Sequence, residues 1–353
     1  MRLPIRTHLA RLVTAGLSLL IMLGCSACGS GTSGTETPGS QPATAATSSP
    51  SSSSTSTSGT GTSTSGTAST ASALPGTGKP QVTIGDKDYT EQFVLGELYR
   101  LALQAQGFSV QLNQNIGPTD VTLQALKSGS LAMYPEYLNL FDSVVARYSR
   151  GFRTQLAAYQ AAQRYALAHG LELLIPTPFS DTDAIGVTAG YAQTNRLRSL
   201  GDLIRVATQL TLGGPPQFQQ ESPGLPAIEQ AYGFTPAAFK TLAVGDQYSA
   251  LDDGSIQAAD VRTTDGQLAS GDYRLLADPD NVFGWGNAVP VVSASALAAE
   301  GPAFAATIDR VSAVLTTAVI RQLNQAVDVA GQDPATVAKQ FLETHGLIPP
   351  APQ

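Results

Sequence analysis

Beyond residue 80, short β-branched runs alternate with segments whose apolar positions recur every three or four residues. VTIG (82–85) reads as a buried strand. Thr90 is placed to N-cap a helix through about Gln106, with Val94, Leu98, Leu101, Ala102 and Ala105 on one face. Gly107 ends it, FSVQL (108–112) reads as the next strand, and a second helix follows Thr119 and stops near Gly129. The alternation continues with a helix over about 153–169 and strands at LELLI (171–175), AIGVT (184–188) and TLAV (241–244). Residues 302–325 read as helical throughout. A last helix opens at Asp333-Pro334, turns Val337, Ala338 and Phe341 to one apolar face and closes at His345-Gly346. This order predicts an α/β architecture with mainly parallel sheets.

One short stretch occurs twice. ALKSGSL (125–131) matches ALDDGSI (250–256), each a helix end, a Gly stop and an entering strand, 125 residues apart. That spacing predicts two related lobes rather than a short-period solenoid.

Composition divides the 353 residues unevenly. Residues 29–80 hold only Gly, Ser, Thr, Ala and Pro apart from Glu36, Gln41, Leu74 and Lys79, too few apolar side chains to offset the entropy of ordering. They read as a tether, whose 52 residues would reach about 40 Å as a flexible coil. Ahead of it, residues 1–11 carry Arg2, Arg6 and Arg11 and no acid, and Leu12–Leu23 is apolar or small. Twelve such residues are too short for a hydrocarbon core of about 30 Å, so residues 1–24 read as a cleavable signal peptide. Met22-Leu23-Gly24-Cys25 resembles a bacterial lipobox. The resemblance implies a lipoprotein with Cys25 as the lipidated residue, Cys28 as the alternative, and an extracytoplasmic domain held at the cell membrane by its lipid alone. An ordinary secreted protein is the competing expectation.

Charge and chemistry narrow the function. Four of the 20 basic and one of the 27 acidic residues precede residue 81, so residues 81–353 carry a formal −10, which disfavours nucleic acid. Cys25 and Cys28, the only cysteines, lie ahead of the folded region, which excludes a disulfide framework or thiolate metal site within it. His169 and His345 each precede a Gly at a helix end, where a cation suits the C-terminus. A Walker A loop, a dinucleotide glycine fingerprint, zinc-type spacing and a G-x-S-x-G elbow are all missing. The expectation is a chain that is not an enzyme and needs no cofactor or metal.

Several blocks in order carry a resemblance: IGDKDYTEQFVLGELYRLALQAQGF (84–108), ALKSGSLAMYPEYL (125–138), PPQFQQESPGLPAIEQAYGF (215–234), TTDGQL (263–268), NAVPVV (287–292) and GQDPATVAKQFLETHGL (331–347). Together they resemble the glycine betaine/choline/carnitine substrate-binding proteins of ABC importers. The resemblance implies a two-lobe periplasmic-binding-protein-like fold of type II, with a ligand cleft between lobes joined by a two-crossing hinge. It places one lobe at 81–182 plus 271–353 and the other at 183–270. It implies a monomer that captures a small molecule and delivers it to membrane permease subunits served by a separate ATPase.

The family's site is a cage of aromatic faces around a quaternary ammonium, each face worth about 0.5–2 kcal/mol of cation–π attraction when desolvated. By motif position Tyr137 and Tyr248 match cage tyrosines, Tyr134 is a neighbouring candidate, and Lys87 matches a lysine that can meet a betaine carboxylate. Three positions depart from the pattern. Asp181-Thr182-Asp183-Ala184 stands where relatives read N-T-Y-A, so Asp183 replaces a cage tyrosine; Glu221 stands where an arginine grips the carboxylate; Leu140 replaces a threonine. Acids beside tyrosines suit a cation without a carboxylate, such as choline, or a polar solute that hydrogen-bonds Asp183 and Glu221. Two other classes compete: a surface-anchored sensor with a repurposed cleft, and a hydrolase using Asp183 and Glu221 as a carboxylate pair.

Overall fold

The computed structural model describes residues 73–149 and 151–350. The expected signal peptide, Cys25, Cys28 and most of the expected tether lie outside these residues. The tether ends earlier than residue 80. Leu74 packs on Gly107, Gly76 N donates to Gln106 O at 2.9 Å and Lys79 Nζ donates to Ala299 O at 2.8 Å, so this stretch docks on the folded domain.

The chain order begins β1 (Val82–Gly85), α1 (Thr90–Ala105), β2 (Val110–Asn113), α2 (Thr119–Lys127), β3 (Met133–Tyr137), α3 (Gln155–Ala168) and β4 (Leu171–Leu173). There the chain enters the second lobe, with β5 (Asp183–Thr188), β6 (Thr211–Gly214), α4 (Leu225–Tyr232), β7 (Ala238–Thr241), α5 (Gln247–Asp252), β8 (Ala258–Arg262) and β9 (Tyr273–Leu275). It returns through β10 (Ala288–Ser293) and finishes with α6 (Pro302–Val314), α7 (Thr317–Asn324) and α8 (Pro334–Thr344).

The strands form two five-stranded sheets, β2-β1-β3-β10-β4 and β7-β6-β8-β5-β9. Each sheet is mixed rather than mainly parallel as the alternation predicted: three strands on one side run parallel, and the strand after a crossing, β10 or β5, inserts antiparallel between them and the edge strand β4 or β9 because the chain enters it from the other lobe. The twice-occurring stretch closes both corresponding helices alike. Leu131 N donates to Ala125 O at 3.1 Å and Ile256 N to Ala250 O at 3.2 Å, and Gly129 and Gly254 turn the chain at φ 80° and 74°.

Several elements differ from the sequence reading. Tyr89, extended at φ −147°, is the N-cap of α1, and Thr90 is already helical. The edge strand β7 lies three residues before TLAV; Val244, 84% exposed, belongs to the following turn. The stretch 302–325 breaks at Leu315, and α6 and the following helical segment meet at 88°; Thr316 caps the new start by accepting from Val319 N. The lobe boundary at 270/271 also moves. β9 pairs with β5, and Leu276 and Phe283 pack in the second lobe's core, so the chain returns at about 284–287.

The crossings run side by side. Ser180 bridges Asn287, Asp181 N donates to Gly286 O at 2.8 Å, and Gly286 N donates to Ser180 Oγ at 2.9 Å. A third link lies elsewhere: α7 of the first lobe meets the second through Arg321 Nε to Thr263 O (2.8 Å) and Asn324 Nδ2 to Thr264 O (2.9 Å).

Candidate ligand-binding site

Two strand ends and the first crossing assemble the site. At the end of β3, Tyr137 is fully buried and its hydroxyl donates to Glu91 Oε1 at 2.7 Å, while the Tyr89 ring stacks on it with centroids 6.0 Å apart. Glu91, in the first turn of α1, also accepts from Asn324 Nδ2 at 2.8 Å. Burial first, then the neighbouring Asp181 charge, pushes the Glu91 carboxyl up to about 8.

At the end of β8, Arg262 lies directly opposite Asp183 in the antiparallel register. Its Nε and Nη2 donate to the two Asp181 oxygens at 3.0 and 2.9 Å, and its Nη1 donates to Asp183 Oδ1 at 2.7 Å. The bidentate fork fixes the buried Asp181 in the hinge, while the Arg262 side chain as a whole is 42% exposed and lines the cleft.

A cavity of about 660 Å³ opens between the lobes. Asn139, Leu140, Asp142, Tyr148 and Phe152 line it from the first lobe, Asp183, Phe218, Glu221, Asp260 and Arg262 from the second, and Phe283 and Trp285 from the segment leading back to β10. A second cavity of about 620 Å³ lies along the hinge crossings and shares Asp183 and Trp285 with the first. Burial, with Asp183 nearby, pushes Asp260 up to about 9, and burial alone pushes Asp142 up to about 7. Among the described residues, no group of three His, Cys, Asp or Glu side chains could hold a metal ion.

The family model for the substrate-binding domain of ABC-type glycine betaine transport systems matches residues 80–344. The chain belongs to this family. The glycine-betaine-binding protein of Pseudomonas aeruginosa is 30% identical over 276 residues, covering 75% of this chain and 88% of that protein. The glycine betaine-binding protein YehZ of Escherichia coli is 30% identical over 286 residues, covering 78% and 93%. The solved apo structure of YehZ superposes with a TM-score of 0.66 at 29% identity over 76% of this chain and 99% of that one. A crystal structure titled glycine betaine/carnitine/choline ABC transporter reaches a TM-score of 0.71 at 23% identity, over 75% and 99%, which shows the shared fold. The family is one of transport receptors, and the periplasmic-binding-protein-like fold expected from the sequence is the one observed.

Within this glycine betaine-type binding domain the expected site residues separate into groups. Asp183 and Glu221 line the cleft together, with Leu140 on the opposite wall. Asp181 sits in the hinge behind Asp183; Tyr137, near enough to feel its charge, is fully buried and lines neither cavity. Lys87 is 2% exposed and spent on Glu136 and on Thr119 Oγ1, the latter at 2.8 Å. Tyr134 alternates to the other face of β3 and packs between β3 and α3 in an apolar cluster with Phe141 and Ala162. Tyr248 packs at 4.8 Å against Tyr273, donates to Asp265 Oδ2 at 2.8 Å and lines neither cavity.

One inference from the sequence needs correction. Asp183 is not an uncompensated acid, because Arg262 neutralises much of the charge it shares with Asp181. The sequence reading also passed over Tyr89, Glu91, Asp260 and Trp285. A signal for Arg262 was present: counting 125 residues on from Tyr137, the spacing of the twice-occurring stretch, lands on it.

Proposed function

We propose that this chain is the extracytoplasmic receptor of an ABC importer that captures a small quaternary amine of the osmoprotectant type between its lobes and presents it to a membrane permease. A separate subunit supplies the ATPase. The observation that carries the ligand class is the cleft itself, whose walls combine aromatic rings from both lobes with four acids, Asp142, Asp183, Glu221 and Asp260, against one base. Aromatic faces attract a desolvated ammonium, its methyl groups gain apolar contact, and Glu221 adds negative charge at the cleft surface. Asp183 and Glu221 act at the cleft surface, and Arg262, anchored on Asp181, holds Asp183 in place. Closure by hinge motion about residues 180–183 and 284–287 makes occupancy readable by the permease.

The leader, the Met22–Cys25 run and the tether support attachment through a diacylated Cys25. The domain works as a monomer, with the tether keeping it near the permease.

Trp285, the only tryptophan, lines the cleft, so its emission reports ligand entry. Titration of residues 73–353 with choline, carnitine, glycine betaine and tetramethylammonium should change that emission saturably and raise the melting temperature by mass action. Silence from all four at millimolar concentration would reject the quaternary-amine reading.

A further inference from the structure

The turn that follows β8 is held from two sides. Arg262 N donates to Asp265 Oδ2 at 2.9 Å and Asp265 N donates to Arg262 O at 3.2 Å, so the cleft-lining arginine begins a tight, cross-braced turn. Thr263 ties that turn to the first crossing. Its N donates to Thr182 O at 2.9 Å, and its hydroxyl donates to Ser180 O at 2.6 Å while accepting from Thr182 N at 3.0 Å.

On the other side stands α7 of the first lobe. Arg321 Nε donates to Thr263 O, and Asn324 Nδ2 donates both to Thr264 O and to Glu91 Oε2. Thr264 and Asn324 are buried. At Gly266 the two backbones meet with no room for a side chain, since a Cβ there would stand 2.5 Å from Gln325 N and 2.6 Å from Gln325 Cα. Arg321, Asn324 and Gly266 line neither cavity. Separating the turn from α7 gives up two hydrogen bonds, each worth about 0.5–1.5 kcal/mol net, and the packing around Gly266 as well. A rotation whose axis passes through the contact gives up neither.

We infer that Arg321, Asn324 and Gly266 make the turn Arg262–Gly266 a third pivot of lobe closure. With the crossings at 180–183 and 284–287 it fixes the axis about which the cleft shuts, and the same turn carries Arg262 into the cleft, so these three are positioning residues for ligand capture. The inference rests on the closure reading above and not on the identity of the ligand. Its consequence is that the balance of open and closed forms, and with it the apparent affinity, is set partly from a contact outside the cleft.

The experiment reads the separation of the lobes directly. In the full chain with Cys25 and Cys28, its only cysteines, changed to Ser, spin labels are placed on Leu167→Cys in α3 and Val244→Cys after β7, at exposed positions of the first and second lobes. Double electron–electron resonance gives the label distance in the empty protein and with choline, and calorimetry gives the choline affinity. Gly266 is not in a left-handed conformation, so Gly266→Ala suits its own backbone, but the new Cβ needs about 1 Å more room to reach an ordinary contact of about 3.5 Å. The pivot predicts that the lobes turn to make that room, moving the labels of the empty protein by about 2 Å or more and changing choline affinity by about three-fold or more. Asn324→Ala, which adds no bulk, should broaden the label distances and weaken choline by a similar factor. Gly213→Ala is the control: its Cβ would stand 2.7 Å from Ile256 and Leu242 inside the second lobe, so it should lower the melting temperature and leave the label distance at the parent's.

Lowered melting temperatures in Gly266→Ala and Asn324→Ala with label distances unchanged from the parent would assign the contact a structural role only and overturn the pivot. Where the wedge prevents folding, Asn324→Ala decides. Choline that binds without moving the parent's labels overturns lobe closure and the pivot with it. If choline does not bind, that ligand fails, and the distances in the empty variants still decide the pivot.

Discussion

Replacing Arg262 by Met keeps much of the side-chain bulk and removes the charge that Asp181 and Asp183 share. Asp181 is the vulnerable partner. Its side chain is 4% exposed and it receives two of the three N–H bonds from the guanidinium, at 3.0 and 2.9 Å. Breaking a buried ion pair from one side costs about 3–5 kcal/mol, and solvent reaching the half-exposed Arg262 reduces that to about 2–3 kcal/mol here. In a domain of this size that is a fall of about 4–12 °C in melting temperature. Differential scanning fluorimetry should find Arg262→Met below the parent by that amount, with Asp181→Asn in the same background restoring most of the loss because the buried charge is then gone. No offset at all, or no recovery in the double variant, would refute the assignment of Arg262 as the counterion of a buried hinge acid.

Three further outcomes follow from named contacts. Asp86 is fully buried, accepts from Asn115 N with one oxygen, leaves the other unpartnered and is pushed by burial up to about 7. Its folded pKa lies above the unfolded one, so Asp86→Asn should match the parent below about pH 4 and gain about 1–3 kcal/mol at pH 8; a gain equally large at pH 4 would contradict this. In Gly286→Ala the new Cβ would stand 1.9 Å from Asp181 O, a backbone atom of the other crossing; the variant should lose more than about 3 kcal/mol, and a circular-dichroism melt unchanged from the parent would disprove close packing of the two crossings. Tyr248→Phe removes the bond to Asp265 and should cost about 1–2 kcal/mol while leaving ligand affinity within two-fold, because Tyr248 lines neither cavity; a ten-fold loss of affinity would return it to the site.

The alternation of elements and the two-lobe plan follow from local pattern, and the observed order of strands and helices keeps them. Local pattern failed where tertiary packing decides. Around α1 the periodicity finds Val94, Leu98 and Ala102, yet Glu91, Gln92 and Glu97 are buried too, because the helix is covered on several sides, by α6, α7 and α8 among others. Ala, Val, Leu and Ile at helical spacing concealed the break at Leu315, since both halves are genuine helices with one buried face each. Tyr134 and Tyr137 sit three residues apart on a strand, so alternation alone sends them to opposite faces, a distinction that motif position ignores. Arg262 lay beyond local reading because its partners are 81 and 79 residues away in sequence.

The shared strand plan of the two lobes shows where Arg262 stands. Tyr137 is the last residue of β3 and faces Ala288, the first residue of the inserted antiparallel strand β10; Arg262 is the last residue of β8 and faces Asp183, the first residue of β5. The two lobes thus hold equivalent positions at the carboxyl ends of their third strands, where α/β sheets commonly bind ligands. One lobe has kept an aromatic ring there, backed on Glu91 and stacked under Tyr89, and the other carries an ion pair. The equivalent positions thus differ in kind: Arg262 reaches the cavity, whereas Tyr137, fully buried, lies behind it against Glu91 and Tyr89.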